Sequence, residues 1–123
     1  MSSDLLNKKC VPCEGGAKPL PHDEIQNFMN QISGWNLNEE QSTNLQKFGL
    51  GAKISKEYKF KDFNEAIKFV NKVALLAESE GHHPDIKINY NKVSLELWTH
   101  AIGGLSENDF IVAAKADKLA NDF

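Results

Sequence analysis

Apolar residues recur along this chain with two periods, and the changes of period divide it into elements. Ile25, Phe28, Met29 and Ile32 fall at i, i+3, i+4 and i+7, which predicts a helix over 23–32, with Asp23 as its cap and Ser33-Gly34 as its end. Residues 35–60 read as two strands, about Trp35–Glu39 and Lys53–Phe60. In the second, Ile54, Tyr58 and Phe60 share parity and Lys56 interrupts. Residues 41–52, with Gly49 and Gly51, form a connection that is either a long loop or an extended hairpin tip. The strongest helix spans 63–80. Phe63, Ile67, Val70, Ala74 and Ala77 make its stripe, widened by Ala66, Phe69, Val73 and Leu76. Asp62 is its N-cap, with Glu65 at the capping-box position, and Gly81 stops it. Residues 85–99 alternate strictly and predict a hairpin. A last helix starts at the capping box Ser106-Glu107-Asn108-Asp109 and continues with Val112, Ala116, Leu119 and Phe123 on its apolar face. The order α-β-β-α-β-β-α predicts an α+β domain: a four-stranded antiparallel sheet with three helices packed on one face. Residues 1–21, rich in Gly and Pro and without periodicity, read as an N-terminal extension. Residues 22–123 read as one domain.

Register brings chemistry into the pattern. A two-residue turn at Asn91-Lys92 pairs Tyr90 with Val93, Ile88 with Leu95 and Ile86 with Leu97, and sets Lys87 opposite Glu96. Extending that ladder brings His83 beside His100, with His82 adjacent in sequence. Three of the four histidines therefore converge at one sheet end, and Glu78, one helical turn before His82, can face it. Histidine titrates near neutral pH, so such a cluster supplies both an acid and a base. Asp109 has an ordinary reading as the fourth residue of the capping box, and that reading is compatible with a second role in the site. Trp98 lies on the sheet face opposite Val93, Leu95 and Leu97, where it lines a pocket or a subunit contact. Trp35 reads as core.

Composition narrows the function classes. The chain has 123 residues, 41% hydrophobic and 25% charged, with a net charge of −3. This is the profile of a single globular domain. All fourteen basic residues are Lys, which disfavours a nucleic-acid reader built on arginine forks. No apolar run approaches a membrane span and the N-terminus lacks a signal pattern, so a cytoplasmic protein with reduced thiols is expected. Cys10 and Cys13 form a single CxxC without the second ligand pair of a structural zinc site; His22 reads as a solvated residue near a helix start. No metal and no cofactor is expected.

One further pattern is specific. Glu78-Ser-Glu-Gly-His82-His83-Pro84, then Tyr90-Asn91-Lys92-Val93, Thr99-His100 and Gly104-Leu105-Ser106-Glu107-Asn108-Asp109 resemble pterin-4a-carbinolamine dehydratases in both residues and spacing. The resemblance extends more weakly over about 23–120 and includes Gly34-Trp35; the 41–52 connection looks longer than is usual in that family. It implies a four-stranded antiparallel sheet with three helices on one side. It also implies dehydration of 4a-hydroxytetrahydropterin, the carbinolamine released by aromatic amino-acid hydroxylases, to quinonoid dihydropterin and water, in tetrahydrobiopterin recycling. By the same match His82, His83 and His100 are catalytic, Glu78 and Asp109 support the site, and Trp98 and Thr99 line it. A homo-oligomer, dimer or tetramer, is expected, with the sheet face bearing Ser94, Glu96 and Trp98 uncovered by helices. Two other functions remain open on the sequence: a dimerisation or coactivator module of the same family, and a histidine-cluster metal hydrolase.

Overall fold

The strongest helical period in the sequence becomes the longest helix, α3 (Phe63–Glu80). Asp62 is extended at the N-cap and accepts the Glu65 N–H at 2.9 Å. The Glu65 carboxylate reaches back to the N–H of Lys61, one residue earlier than a capping box requires. The face turned to the sheet carries Ala66, Phe69, Val73 and Ala77, whereas Phe63 and Ala74 of the predicted stripe are exposed. The computed structural model describes residues 3–10, 19–38 and 51–123. Besides α3 these hold α1 (Ser3–Leu6), α2 (His22–Met29), β1 (Asn36–Asn38), β2 (Lys53–Lys59), β3 (Asp85–Asn89), β4 (Lys92–Leu97), a 3-10 turn (His100–Ile102) and α4 (Glu107–Ala120). The connection over 41–50 and Cys13 lie outside the described residues. Pro21, rather than Asp23, occupies the N-cap of α2.

The sheet is antiparallel throughout, in the order β1-β2-β4-β3. α2, α3 and α4 pack against one face of it, so the fold is the expected α+β arrangement. Ile54 and Tyr58 of β2 and Val93, Leu95 and Leu97 of β4 are buried beneath the helices. α4 is enclosed on nearly every side: Phe110, Ile111, Val112, Ala113, Ala114 and Ala116 are all buried, with the Phe28 ring stacked on Phe110 at 5.1 Å. Part of this enclosure comes from the segment read as an extension. α1 crosses α4 and buries Leu5 completely, and Leu6, Cys10 and Leu20 pack against the core. A single helical turn is too short to show a period.

The last hairpin corrects the predicted register. Its turn is Tyr90-Asn91, with Tyr90 at φ 56, so Ile88 faces Val93, Ile86 faces Leu95 and Lys87 faces Ser94. Glu96 stands opposite Asp85 instead of Lys87 and lies 3.9 Å from Lys53 Nζ. The deciding contacts are tertiary. Asn91 donates its side-chain amide to Phe60 O at 2.9 Å and accepts the Phe60 N–H at 2.8 Å. Those two bonds outweigh one exposed cross-strand charge pair. The two-residue shift preserves parity, so the apolar residues still share a face. β3 nevertheless runs beyond the cover of the helices, and Ile86 and Ile88 are exposed at 38% and 40%.

Lys56, which interrupts the apolar parity of β2, is accounted for by Asp117. That carboxylate accepts from Lys56 Nζ at 2.8 Å, from the Tyr58 hydroxyl at 2.6 Å and from Trp35 Nε1 at 3.1 Å. Lys56 also reaches Ser33 O at 2.9 Å. Burial, then the hydrogen bond to Asp117 and its charge, push the Tyr58 phenol far above its ordinary range. Trp35 is therefore a core residue with a polar tether. Asp117→Ala strands the Tyr58 and Trp35 donors together and should lower unfolding free energy by about 2–4 kcal/mol in urea titration, against about 1 for Tyr58→Phe.

Candidate active site

Gly81 closes α3 in the left-handed conformation, φ 65, a backbone that a side chain strains. Its N–H and that of His82 both return to Ala77 O. The reversal sends His82-His83-Pro84 back toward β3, beside the place where β4 leaves the sheet. There Thr99 bridges to Gly104, and the 3-10 turn between them carries His100. The two segments border an open cleft of roughly 750 Å³, onto whose lining the structure brings Glu78, His82, His83, Trp98, Thr99 and His100. His83 and His100 do not pair as a continued ladder. His100 reaches the cleft by stacking on Trp98, with ring centroids 3.8 Å apart.

The carboxylates divide the histidines between them. Asp109 is fully buried on the first turn of α4, and its Oδ1 lies 2.6 Å from His82 Nε2. Its Oδ2 accepts from the Thr99 hydroxyl at 2.7 Å and from the Ser106 N–H at 2.9 Å. Thr99 has one proton and gives it to Asp109, so the 2.8 Å contact between the Thr99 and Ser106 hydroxyls has Ser106 as donor. The capping reading and the site reading of Asp109 thus coexist. Having no exposed surface, it acts on the cleft through His82. Glu78 faces His83, not His82: its Oε2 is 2.5 Å from His83 Nε2, and both side chains are well exposed. Thr99 lines the cleft while its hydroxyl is engaged inward. His22 lies on the exposed start of α2, away from the cleft lining.

Glu80, Cys10 and Asn108 also line the cleft, and sequence reasoning did not single out Glu80 or Asn108. A signal for Glu80 existed: it is an acid in the last turn of α3, where the helix dipole favours a base and none is present. Its partners are Lys115 Nζ at 2.5 Å and the Cys10 N–H at 2.8 Å. Burial alone would raise its pKa, but the Lys115 and Cys10 hydrogen bonds and the Lys115 charge outweigh that and hold the carboxyl below its ordinary range. Burial, followed by the charge and hydrogen bond of Glu80, pushes the Cys10 thiol up to about 12, which keeps it protonated at neutral pH. Among the described residues no group of three or more His, Cys, Asp or Glu side chains is placed to hold a metal ion.

A family model described as Pterin 4 alpha carbinolamine dehydratase matches residues 18–119. The chain belongs to this family. A candidate pterin-4-alpha-carbinolamine dehydratase of Nitrosospira multiformis is 49% identical over 94% of this chain and 92% of its own length. One from Rickettsia bellii is 43% identical over 98% of both. Among solved structures, a transcriptional coactivator/pterin dehydratase from Brucella melitensis superimposes with a TM-score of 0.69 at 31% identity, covering 83% of this chain and 98% of that one. A pterin dehydratase-like protein described as a RuBisCO assembly factor in the alpha-carboxysome, 23% identical with a TM-score of 0.56, covers 71% of this chain and 89% of its own and shares the fold.

Within this dehydratase-family domain, Asp109 has three donors: His82, Thr99 and the Ser106 N–H. Asp109→Ala removes the partner of all of them. It should lower stability by about 2–4 kcal/mol in denaturant titration and broaden the His82 imidazole resonances in NMR spectra as the ring loses its fixed orientation.

Proposed function

We propose that the protein dehydrates 4a-hydroxytetrahydropterin to quinonoid dihydropterin and water by histidine acid–base catalysis, as a step in tetrahydrobiopterin recycling. The observation that carries this reading is the joint lining of one cleft by His82, His83 and His100, in a chain of this family. The leaving hydroxyl must be protonated as its C–O bond breaks. A pterin nitrogen lone pair assists its expulsion, and a base then removes the proton from that nitrogen. With the Asp109 carboxylate as acceptor, His82 carries its proton on Nε2, so Nδ1 is the nitrogen open to exchange with substrate. In this reading His82 and His100 transfer protons, and His83, backed by Glu78, positions substrate and shares the charge. Trp98 and Thr99 line the pterin pocket. The reaction calls for no metal or redox cofactor. The setting is cytoplasmic, and the functional link is to an aromatic amino-acid hydroxylase. Among the described residues no helix is long and apolar enough to cross a membrane.

A coactivator-type role is the second reading, favoured by the description of the Brucella melitensis structure as a transcriptional coactivator/pterin dehydratase. Both readings are compatible with a homo-oligomer. Among the described residues no helix is placed on the sheet face bearing Ser94, Glu96 and Trp98, and β3 is an edge strand with Ile86 and Ile88 exposed. Light scattering at micromolar concentration should give a dimer or tetramer mass; a monomer mass would refute it.

Stopped-flow mixing with chemically generated 4a-hydroxytetrahydropterin should show dehydration above the spontaneous rate without added metal or nucleotide. Activity abolished by exhaustive chelation and restored by zinc would favour a metal hydrolase instead. His82→Ala and His100→Ala should each lower kcat more than they raise KM, within the range of about 10²–10⁴-fold typical of acid–base catalysis and limited by the spontaneous background. His83→Ala should mainly raise KM. The His82→Ala/His100→Ala pair should lose less than the product of the single effects, because both residues handle one set of protons.

A further inference from the structure

We infer that segment 3–10 forms part of the working wall of the substrate cleft through Cys10, and that Glu80 is the positioning residue that clamps it there. The inference rests on the dehydratase reading and extends the site to a part of the chain that lies before the family match, which begins at residue 18.

Two ends of the segment are anchored independently. α1 inserts Leu5 into the core beside α4. At the other end the Cys10 backbone N–H donates to Glu80 Oε1, and the Cys10 thiol lies 3.6 Å from Asn108 O. Between them Lys8 pairs with Glu107 on the first turn of α4. These tethers lead the chain across the junction between the end of α3 and the start of α4, the same junction from which His82 and Asp109 meet. Cys10, Glu80 and Asn108 consequently share the cleft lining with the three histidines.

Glu80 is suited to clamping rather than to proton exchange. Its side chain is 5% exposed, and each carboxylate oxygen already accepts a hydrogen bond, one from Lys115 and one from Cys10. An acid at this end of a helix opposes the dipole, and Lys115, 18% exposed on α4, offsets the unfavourable charge. The carboxyl is held below its ordinary range, so the clamp is fully formed above the usual carboxylate pKa and is lost only as pH falls through the lowered folded value. The substrate therefore meets a formed wall at neutral pH, to which this segment contributes Cys10.

The test is steady-state kinetics on the full chain with 4a-hydroxytetrahydropterin, alongside alkylation of Cys10 by iodoacetamide followed by peptide mass spectrometry, which reads Cys10 apart from Cys13. Glu80→Ala should raise KM by about three- to tenfold, the span of one ordinary hydrogen bond, with kcat within about twofold of wild type. Glu80→Gln retains an acceptor for the Cys10 N–H and should fall between the two. Cys10→Trp alters the wall directly and should raise KM even where Glu80→Ala folds poorly. Cys10 should alkylate faster in Glu80→Ala than in wild type, and 7,8-dihydrobiopterin should slow alkylation of the wild-type thiol. An unchanged KM in both Glu80→Ala and Cys10→Trp would overturn the inference and leave the dehydratase reading intact. A fall in kcat with KM unchanged would overturn the positioning role. A wild-type chain inert toward the carbinolamine would remove the dehydratase reading and this inference with it.

Discussion

A single buried carboxylate holds the functional end of this molecule together. Asp109 touches three separate stretches of chain: the His82 segment that follows α3, Thr99 as the chain leaves β4, and the N–H of Ser106 ahead of α4. An ionisable group without exposed surface persists only when its oxygens are fully engaged. Engagement here requires the helix start, the sheet end and the reversing loop to meet at one point. The orientation of His82 follows from that requirement. So does the short path from Thr99 to Gly104, which carries His100 over Trp98. The far end of the domain repeats the device with Asp117, which gathers Trp35, Lys56 and Tyr58. Both acids project from α4, the most enclosed helix, so each end of the domain is referred to the same rigid axis.

Much of the architecture was legible because local signals agreed with one another. Asp62, the apolar period of 63–80 and Gly81 all bound the same helix, and the structure ends it where they do. The convergence of the histidines was also legible, although through an incorrect register. Alternation of period two cannot distinguish pairings that differ by two residues, since both put Ile86, Ile88, Val93 and Leu95 on one face. What decided between them was Asn91 bonding to Phe60, a contact between segments far apart in sequence. The same limit applies to Glu78. Helical spacing puts it near both histidines, but the left-handed turn at Gly81 swings His82 inward to Asp109 and leaves His83 for Glu78.

Other parts were illegible for different physical reasons. Lys56 in an apolar register looks like an error until Asp117 is known to stand opposite it. Leu5 sits in a single helical turn, too short for any period to develop, yet it is wholly buried. Glu80 gave a sequence signal only in the negative sense of an acid where a base belongs, a local conflict of the kind that marks a tertiary obligation.

The sheet order has a consequence for how this molecule comes into being. β3 and β4 are joined by two residues and can pair early, and α3 can form from local contacts. The central β2–β4 ladder brackets both of them and must wait for a long loop to close. Asp109 meets His82 and Thr99 only once α4 has docked across that ladder, so the cleft is incomplete before that step. A chain still emerging from the ribosome would hold its hairpin and α3 before His82 has its Asp109 partner, because α4 follows both of them in the chain.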